Sequence, residues 1–298
     1  MDITVILTSV LMLTSFICLS SFLENSDTMT PIVITVLLLS VAAVSPGSIH
    51  RYGKNKIEEP VSVKIEKENA NVKPGLNLTH GDIMGHMGDE EGILRNALLC
   101  PRGGCKWPKT GDEAIIPYEI SRAFTKRQRT TIEKALRDFS FGERTTCIRF
   151  VRKTETDRNY LSFISDSGCW SYLGQTGGRQ LISLQRDRCV HKNIVQHQAL
   201  HALGFHHEQV RSDRDDYVII NYENIIQGAE QHFQIAPTNN LGTPYDYHSV
   251  MHFDAYAYSK NGKQTIIAKN RFITNFGRAK EMSDNDYARV NRLYECCE

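Results

Sequence analysis

The sequence lacks a strong charge of either sign, and it lacks the cysteine spacing of a zinc motif. Its 298 residues carry 35 lysines and arginines against 34 aspartates and glutamates, a formal net charge of +1. With no basic stripe and no acidic tail, no nucleic-acid partner is expected. No two cysteines have the Cys-x-x-Cys spacing, which argues against a zinc site built on cysteines. The length suffices for one large domain, or two small ones, with additional segments.

Basic residues are also missing in front of the two apolar runs near the N-terminus. The first run, Ile3–Leu23, carries no charge, and the second, Ile32–Val44, follows Met29 and ends in small residues. The second run has the length of a signal-peptide core, so we predict a hydrophobic region over 1–48 with a secretory signal at 29–48. The alternative is a membrane anchor at residues 3–23, because about 20 apolar residues can span a bilayer.

Export makes disulfide bonds the default interpretation of the cysteines. One of the eight, Cys18, lies in the first apolar run, and seven others follow it. Seven is odd, so one thiol is left over, and we expect it in the adjacent C-terminal pair Cys296 and Cys297.

Residues 49–95 are polar and mixed in charge, which is not typical of a compact domain. They include Asn77-Leu78-Thr79, the only N-glycosylation sequon of the chain. We interpret 49–95 as a propeptide, with activation at Arg95–Asn96 and a mature domain over 96–298.

Strands and helices are predicted at intervals in this last region. The strands are rich in β-branched and aromatic residues, and two of the helices begin at residues suited to capping. The predicted strands are Ile115–Ile120, Cys147–Val151, Asn159–Ile164 and Gln180–Leu184, and the helices follow Thr125, begin near Asn193 and follow Ser283.

Three histidines have the spacing of zinc ligands. His197 and His201 are four residues apart, so they share one face of a helix. His207 would lie about 280° around a continuing helix, and it reaches the same ion only if the helix stops first. Gly204 can take the left-handed conformation that ends a helix. Three imidazoles with an open position are typical of a catalytic zinc site, so we predict one zinc ion here.

The histidine motif and several flanking motifs resemble the astacin family of metzincin zinc endopeptidases. Within that family, the six-cysteine group of fish hatching enzymes is similar. Ser249-Val250-Met251-His252 resembles the family's Met-turn, in which Met251 would form a hydrophobic floor. The other matching motifs are Cys105–Pro108, Gly168–Gly174 and Ser212–Asp215, and the resemblance covers about residues 96–297.

The resemblance implies an α+β fold with two lobes. The N-terminal lobe would hold a twisted five-stranded mixed sheet and the active-site helix. The C-terminal lobe would be irregular and end in a helix. Substrate would lie in the cleft between the lobes, against an edge strand that matches Gln180–Leu184.

Further roles are implied by the resemblance alone. Disulfides would join Cys147 to the C-terminal cysteine (Cys296 matches better than Cys297), Cys169 to Cys189, and Cys100 to Cys105. Glu208 would anchor the new N-terminus after activation. Asp82 matches the propeptide aspartate whose carboxylate blocks the zinc in the proenzyme; the alternative is a solvated loop aspartate.

Two residues depart from the pattern of active members. Position 198 carries glutamate in active members, where it is the general base and then the general acid, and here it is Gln198. An amide has no titratable oxygen, and acid–base catalysis contributes about 10²–10⁴-fold. Most members of the family carry a tyrosine at position 253, whose hydroxyl supports the developing oxyanion, and here the residue is Phe253. Loss of one such donor costs about 2.7–4 kcal/mol of transition-state stabilisation. Both losses affect the same chemical step.

We therefore expect a secreted, monomeric pseudoprotease that binds zinc and holds an extracellular or egg-envelope protein without cutting it. The alternative is an active, hatching-enzyme-like zinc endopeptidase that uses an atypical base. A third interpretation is a structural domain without metal.

Overall fold

A computed structural model describes residues 59–85 and 105–296. The predicted signal, the anchor run, Arg95–Asn96, and the cysteines Cys18, Cys100 and Cys297 lie outside the described residues. None of the helices in 59–85 and 105–296 combines the length and the apolar character that a membrane span requires.

Four α-helices and ten strands occur in the described part of the chain. The helices are α1 (Val61–Asn69), α2 (Lys126–Arg137), α3 (Lys192–Ala202) and α4 (Asp284–Tyr294). The strands are β1 (Leu78–Thr79), β2 (Ile83–Met84), β3 (Lys109–Thr110), β4 (Glu113–Ile120), β5 (Ile148–Arg152), β6 (Tyr160–Ile164), β7 (Cys169–Ser171), β8 (Arg179–Leu184), β9 (Val218–Ile220) and β10 (Ile266–Ala268).

The main sheet is built on five strands, β4 to β8, and is mixed. Strands β5, β4, β6 and β8 run parallel to their neighbours, whereas β7 pairs antiparallel with β8. Strand β3 adds to β4 on one side, and β2 adds parallel to β7 on the other. The four predicted strands agree with β4, β5, β6 and β8 to within two residues.

The expected position of the edge strand is wrong. Strand β8, which contains Gln180–Leu184, pairs with both β6 and β7 and is therefore interior. In the domain after residue 105, the strand at that margin is β7, Cys169–Ser171. Its neighbour on the open side is β2, which belongs to the segment before the domain.

Local sequence accounts for the ends of helices α2 and α4. The Thr125 side chain accepts from the Gln128 amide while Gln128 accepts from the Thr125 amide, a capping box that confirms the predicted start of this helix after Thr125. Ser283 caps α4 in the same way, with Asp286 as its partner. Because apolar residues line one face of each helix, both pack into the core.

Two apolar clusters divide the α+β fold into two lobes. The first cluster fills the space between the main sheet and helices α2, α3 and α4. The second lies in the C-terminal lobe, where aromatic residues such as Phe233, Phe253 and Phe276 dominate and β9 and β10 form a small sheet. Apolar residues beside the metal ligands on α3, such as Ala199 and Leu200, belong to the first cluster, and Phe253 belongs to the second.

Candidate metal centre

The three predicted histidine ligands converge at the end of α3. His197 and His201 project from consecutive turns, and their Nε2 atoms are 3.1 Å apart. The helix ends at Ala202, and Gly204 has a φ of 104°, a backbone conformation that favours glycine. The reversal brings His207 Nε2 to 3.3 Å from His197 Nε2.

Backbone carbonyls orient two of the three rings. His197 Nδ1 donates to the Val250 carbonyl at 2.8 Å, and His201 Nδ1 donates to the Phe205 carbonyl at 2.7 Å. With a proton on Nδ1, each ring turns the lone pair of Nε2 inward. Burial lowers the pKa of His207 to about 3, so its ring is neutral as well. Neutral rings with facing lone pairs repel each other, and a cation between them removes that repulsion.

The carboxylate of Asp82 is the fourth member of this cluster. Its Oδ2 lies 3.0 Å from His197 Nε2, and its Oδ1 lies 3.1 Å from His207 Nε2 and 3.3 Å from His201 Nε2. Asp82 is 1% exposed, so the alternative of a solvated loop aspartate does not describe this side chain.

The four ligand atoms fit a single metal ion. They lie within 4.8 Å of one another, and all four residues are buried. Three imidazoles and one carboxylate in a tetrahedral arrangement are a donor set that Zn²⁺ prefers.

The predicted Met-turn contacts the cluster through the Val250 carbonyl and is held by α4. Met251 is buried and its carbonyl accepts from the Glu208 amide at 3.0 Å. Asp286 accepts from the Ser249 hydroxyl at 2.6 Å and from the Val250 amide at 2.9 Å. Since the Val250 carbonyl orients His197, the start of α4 supports a metal ligand. This role of Asp286 was not predictable from the sequence, because its capping position was its only local signal.

Gln198 is fully buried beside Asp82. Its Nε2 donates to Asp82 Oδ2 at 2.6 Å, and its Oε1 has no partner. The residue at the expected general-base position therefore lies at the cluster, and it offers a hydrogen there rather than a basic oxygen.

Phe253 lies against the third ligand. Its ring centroid is 4.6 Å from that of His207 and 5.8 Å from that of Tyr258. A β-carbon added to Gly81 would lie 2.4 Å from the Tyr258 hydroxyl and 3.8 Å from Phe253 Cζ. The Tyr258 hydroxyl and the end of the Phe253 ring therefore both lie close to Gly81. Tyr258 carries no signal in the sequence, because it lies five residues beyond the family motif.

Two arginines and one backbone amide donate hydrogen bonds to the buried carboxylate of Glu208. Its Oε1 accepts from Arg289 at 2.6 Å, from Arg211 at 3.2 Å and from the Asp246 amide at 2.6 Å, and its Oε2 accepts from Arg289. Its predicted partner after activation, the new N-terminus, lies outside the described residues, and that role stays a prediction.

Two disulfides have both of their cysteines within the described residues. Cys147 is bonded to Cys296, and Cys169 is bonded to Cys189. These are the pairings that the resemblance implied, with Cys296 as the C-terminal partner. The expected partner of Cys105, Cys100, lies outside the described residues.

Comparisons with known proteins place these features in a family. The model of the family described as Astacin (Peptidase family M12A) matches residues 104–295. The low choriolytic enzyme of Oryzias latipes is 36% identical over 270 residues, which cover 89% of this chain and 97% of that protein. High choriolytic enzyme 1 of the same fish is 44% identical over 204 residues, 68% of this chain and 74% of that protein. The solved structure of high choriolytic enzyme 1, described as a hatching enzyme zinc-protease, superposes with a TM-score of 0.64 over all of that chain.

Proposed function

Because this chain belongs to the astacin family of zinc metalloproteases, we propose that it is a secreted, zinc-binding member that holds protein segments in its cleft without hydrolysing them. One observation carries the proposal. Among the described residues, the only carboxylate grouped with the three histidines is that of Asp82, which precedes the domain. The domain itself contributes an amide at that place, Gln198.

The chemistry of the residues supports this assignment. Bound zinc would act as a Lewis acid toward a peptide carbonyl. The three histidines hold the metal, but Gln198 cannot take a proton from water or return one to a leaving amine. Phe253 has no hydroxyl to donate to a developing oxyanion. The centre therefore keeps its binding groups and lacks its proton-transfer group.

Tyr258 does not restore the missing base. Burial raises the pKa of its hydroxyl far above the usual value, so at neutral pH it stays protonated. It can donate a hydrogen bond, but it cannot accept a proton from water. This weighs against the alternative of an active endopeptidase with an atypical base.

The segment before the domain supports secretion in a proenzyme-like form. We propose that residues 29–48 direct export and that 49–95 form a prosegment that covers the metal centre through Asp82. Asn77 is exposed and suited to N-glycosylation. The ligand in the open cleft would be an extracellular protein or peptide.

A peptidase assay tests the absence of hydrolysis. The assay uses the full chain, loaded with zinc, in which the recognition sequence of a site-specific protease replaces residues 88–94. The chain also carries Asp82→Ala, which removes the carboxylate from the metal centre. We call this variant the cleavable open chain. After cutting and buffer exchange, we expect no turnover of a quenched fluorescent peptide library with Gln198 in place. Gln198→Glu should restore measurable turnover, at a rate about 10²–10⁴-fold above the detection limit that bounds the rate of the Gln198 chain. Zinc-dependent turnover by the Gln198 chain would overturn the proposal.

A further inference from the structure

We propose that Gln198 makes this metal centre a receptor for an aspartate carboxylate presented in a Gly–Asp segment. Its first ligand is the chain's own segment 59–85, which stays bound after the backbone is cut. The inference rests on the proposed function, because only a centre that does not cleave its ligand can serve as a lasting receptor.

The contact between Gln198 and Asp82 carries the proposal. The amide Nε2 lies 2.6 Å from Asp82 Oδ2, and both side chains are buried. The amide donates to an ionised oxygen, and such charge-assisted hydrogen bonds are stronger than neutral ones. A glutamate at this position would bring a second acceptor-only group toward the same oxygen. The substitution that removes the base thus adds a donor for a carboxylate ligand.

The site also requires a glycine, here Gly81, directly before the aspartate of the bound segment. Gly81 has a φ of 96°, and a β-carbon there would meet the Tyr258 hydroxyl at 2.4 Å. Any other residue would be strained in its backbone and would clash with that hydroxyl. On the other side, the Ser171 amide donates to the Asp82 carbonyl at 3.1 Å, and Ile83 pairs with Ser171 in parallel register. The recognised unit is therefore an extended Gly–Asp–apolar segment added to β7.

Contacts of α1 hold the same segment on both lobes. Asn69 makes a reciprocal pair with the Cys169 backbone, at 2.8 Å in each direction. Ser62 accepts from the Asp254 amide at 2.8 Å, and Glu66 accepts from the Tyr258 amide at 2.9 Å. None of these contacts involves residues 86–104, so a cut there leaves them in place.

The experiment measures how long the cut segment stays bound. The full zinc-loaded chain carries the same protease sequence at residues 88–94, with Asp82 intact, and is immobilised by a C-terminal tag. After cutting, an excess of synthetic peptide 59–85 prevents rebinding, and mass spectrometry follows the isotopically labelled segment as it leaves. We expect Gln198→Glu to speed release by about tenfold or more, equivalent to about 1.4 kcal/mol.

Controls separate the hydrogen bond from general damage. Gln234→Glu makes the same chemical change at an exposed position and should leave the release rate unchanged. Gln198→Ala removes the donor without adding a charge and should also speed release. In the Asp82→Ala background, changing residue 198 should alter release by less than about twofold, because the two effects are coupled. Zinc content and circular dichroism establish that each variant is folded.

The outcomes distinguish this inference from the proposed function. Equal release rates for the Gln198 and Gln198→Glu chains, both folded and zinc-loaded, would overturn the receptor proposal and leave the absence of hydrolysis standing. Loss of the segment from the unsubstituted chain on cutting would overturn it too. Hydrolysis by the cleavable open chain would instead overturn the proposed function.

Discussion

Gln198 and glutamate differ by one nitrogen, yet that nitrogen changes what the side chain offers to its neighbours. A glutamate would supply a proton acceptor for catalysis, whereas Gln198 supplies a donor to Asp82 Oδ2. Phe253 differs from tyrosine by one oxygen and keeps only the ring contact with His207. Both substitutions nearly preserve the shape of the side chain and change which hydrogen bonds it can make.

Phe253→Tyr should increase peptide turnover only when a general base is present at position 198. In the cleavable open chain with Gln198 retained, we expect no turnover from this substitution, because water still has no base. Combined with Gln198→Glu, it should raise kcat/KM further, by up to about 2.7–4 kcal/mol of transition-state stabilisation. The measurement is cleavage of a fluorogenic peptide.

Phe272→Tyr is the matched control for this hydroxyl, because Phe272 is 81% exposed. It should change nothing in either background. Equal gains from Phe253→Tyr with and without Gln198→Glu would contradict the coupling between base and oxyanion donor.

Helix α4 and the Met-turn act together on the metal centre. Asp286 completes the capping box of α4 and accepts from Ser249 and Val250 of the turn. The carbonyl of Val250 then fixes His197. An element at the end of the domain thus sets the orientation of a ligand on α3.

Asp286→Ala should weaken both stability and zinc binding. It leaves the buried Val250 amide unpaired and removes half of a capping box, so we expect the free energy of unfolding to fall by about 2–4 kcal/mol. Loss of support behind a metal ligand typically costs about 10–100-fold in affinity. Urea unfolding and competition with a zinc chelator measure the two effects.

Asp284→Ala provides the comparison for Asp286→Ala. Asp284 lies in the same first turn, but its side chain is 80% exposed and makes no contact with the Met-turn in the described structure. It should change the free energy of unfolding by about 0.5 kcal/mol or less. If Asp284→Ala lowered the free energy of unfolding as much as Asp286→Ala does, the effect would come from negative charge in the first turn of α4 and not from the contact with the Met-turn.

Elements were predictable from sequence where the signal was local. The ends of α2 and α4 follow from Thr125 and Ser283, and the turn after α3 follows from Gly204. Strand β7 was missed because its three residues lie in a glycine-flanked stretch that is typical of a turn. The edge strand implied by the resemblance was matched to Gln180–Leu184, which the structure shows to be interior.

Long-range partners could not be predicted in this way. Asn69 and Cys169 are 100 residues apart in sequence, and Asp286 and Val250 are 36 apart. No periodicity or spacing in the sequence marks such contacts. The metal ligands were found only because three of them lie within one motif.

At the scale of the whole molecule, two kinds of cross-link hold the structure. The metal centre joins α3, the turn after it and the segment that carries Asp82. The disulfide Cys147–Cys296 closes a loop with a sequence separation of 149, and Cys169–Cys189 closes one of 20. In the chain-entropy model, loops of these lengths stabilise the folded state by about 3–5 kcal/mol each.

Removing zinc should therefore leave the fold largely intact while the disulfides remain. We expect a chelator alone to preserve the far-UV circular dichroism spectrum and to lower the urea midpoint only moderately. Chelator together with reductant should lower that midpoint much further. Global unfolding on chelation, with both disulfides oxidised, would contradict this expectation.

The bond between Cys147 and Cys296 also gives the molecule a covalent topology. Everything between those two cysteines, including all three histidines and Gln198, forms a closed ring. A single nick by an extracellular protease within the ring opens it but leaves one covalent molecule, with every metal ligand of the domain still attached. A single cut at Arg95–Asn96, outside the ring, places Asp82 and the three histidines on separate chains. The two chains are then held together only by their non-covalent contacts and by the metal that they share.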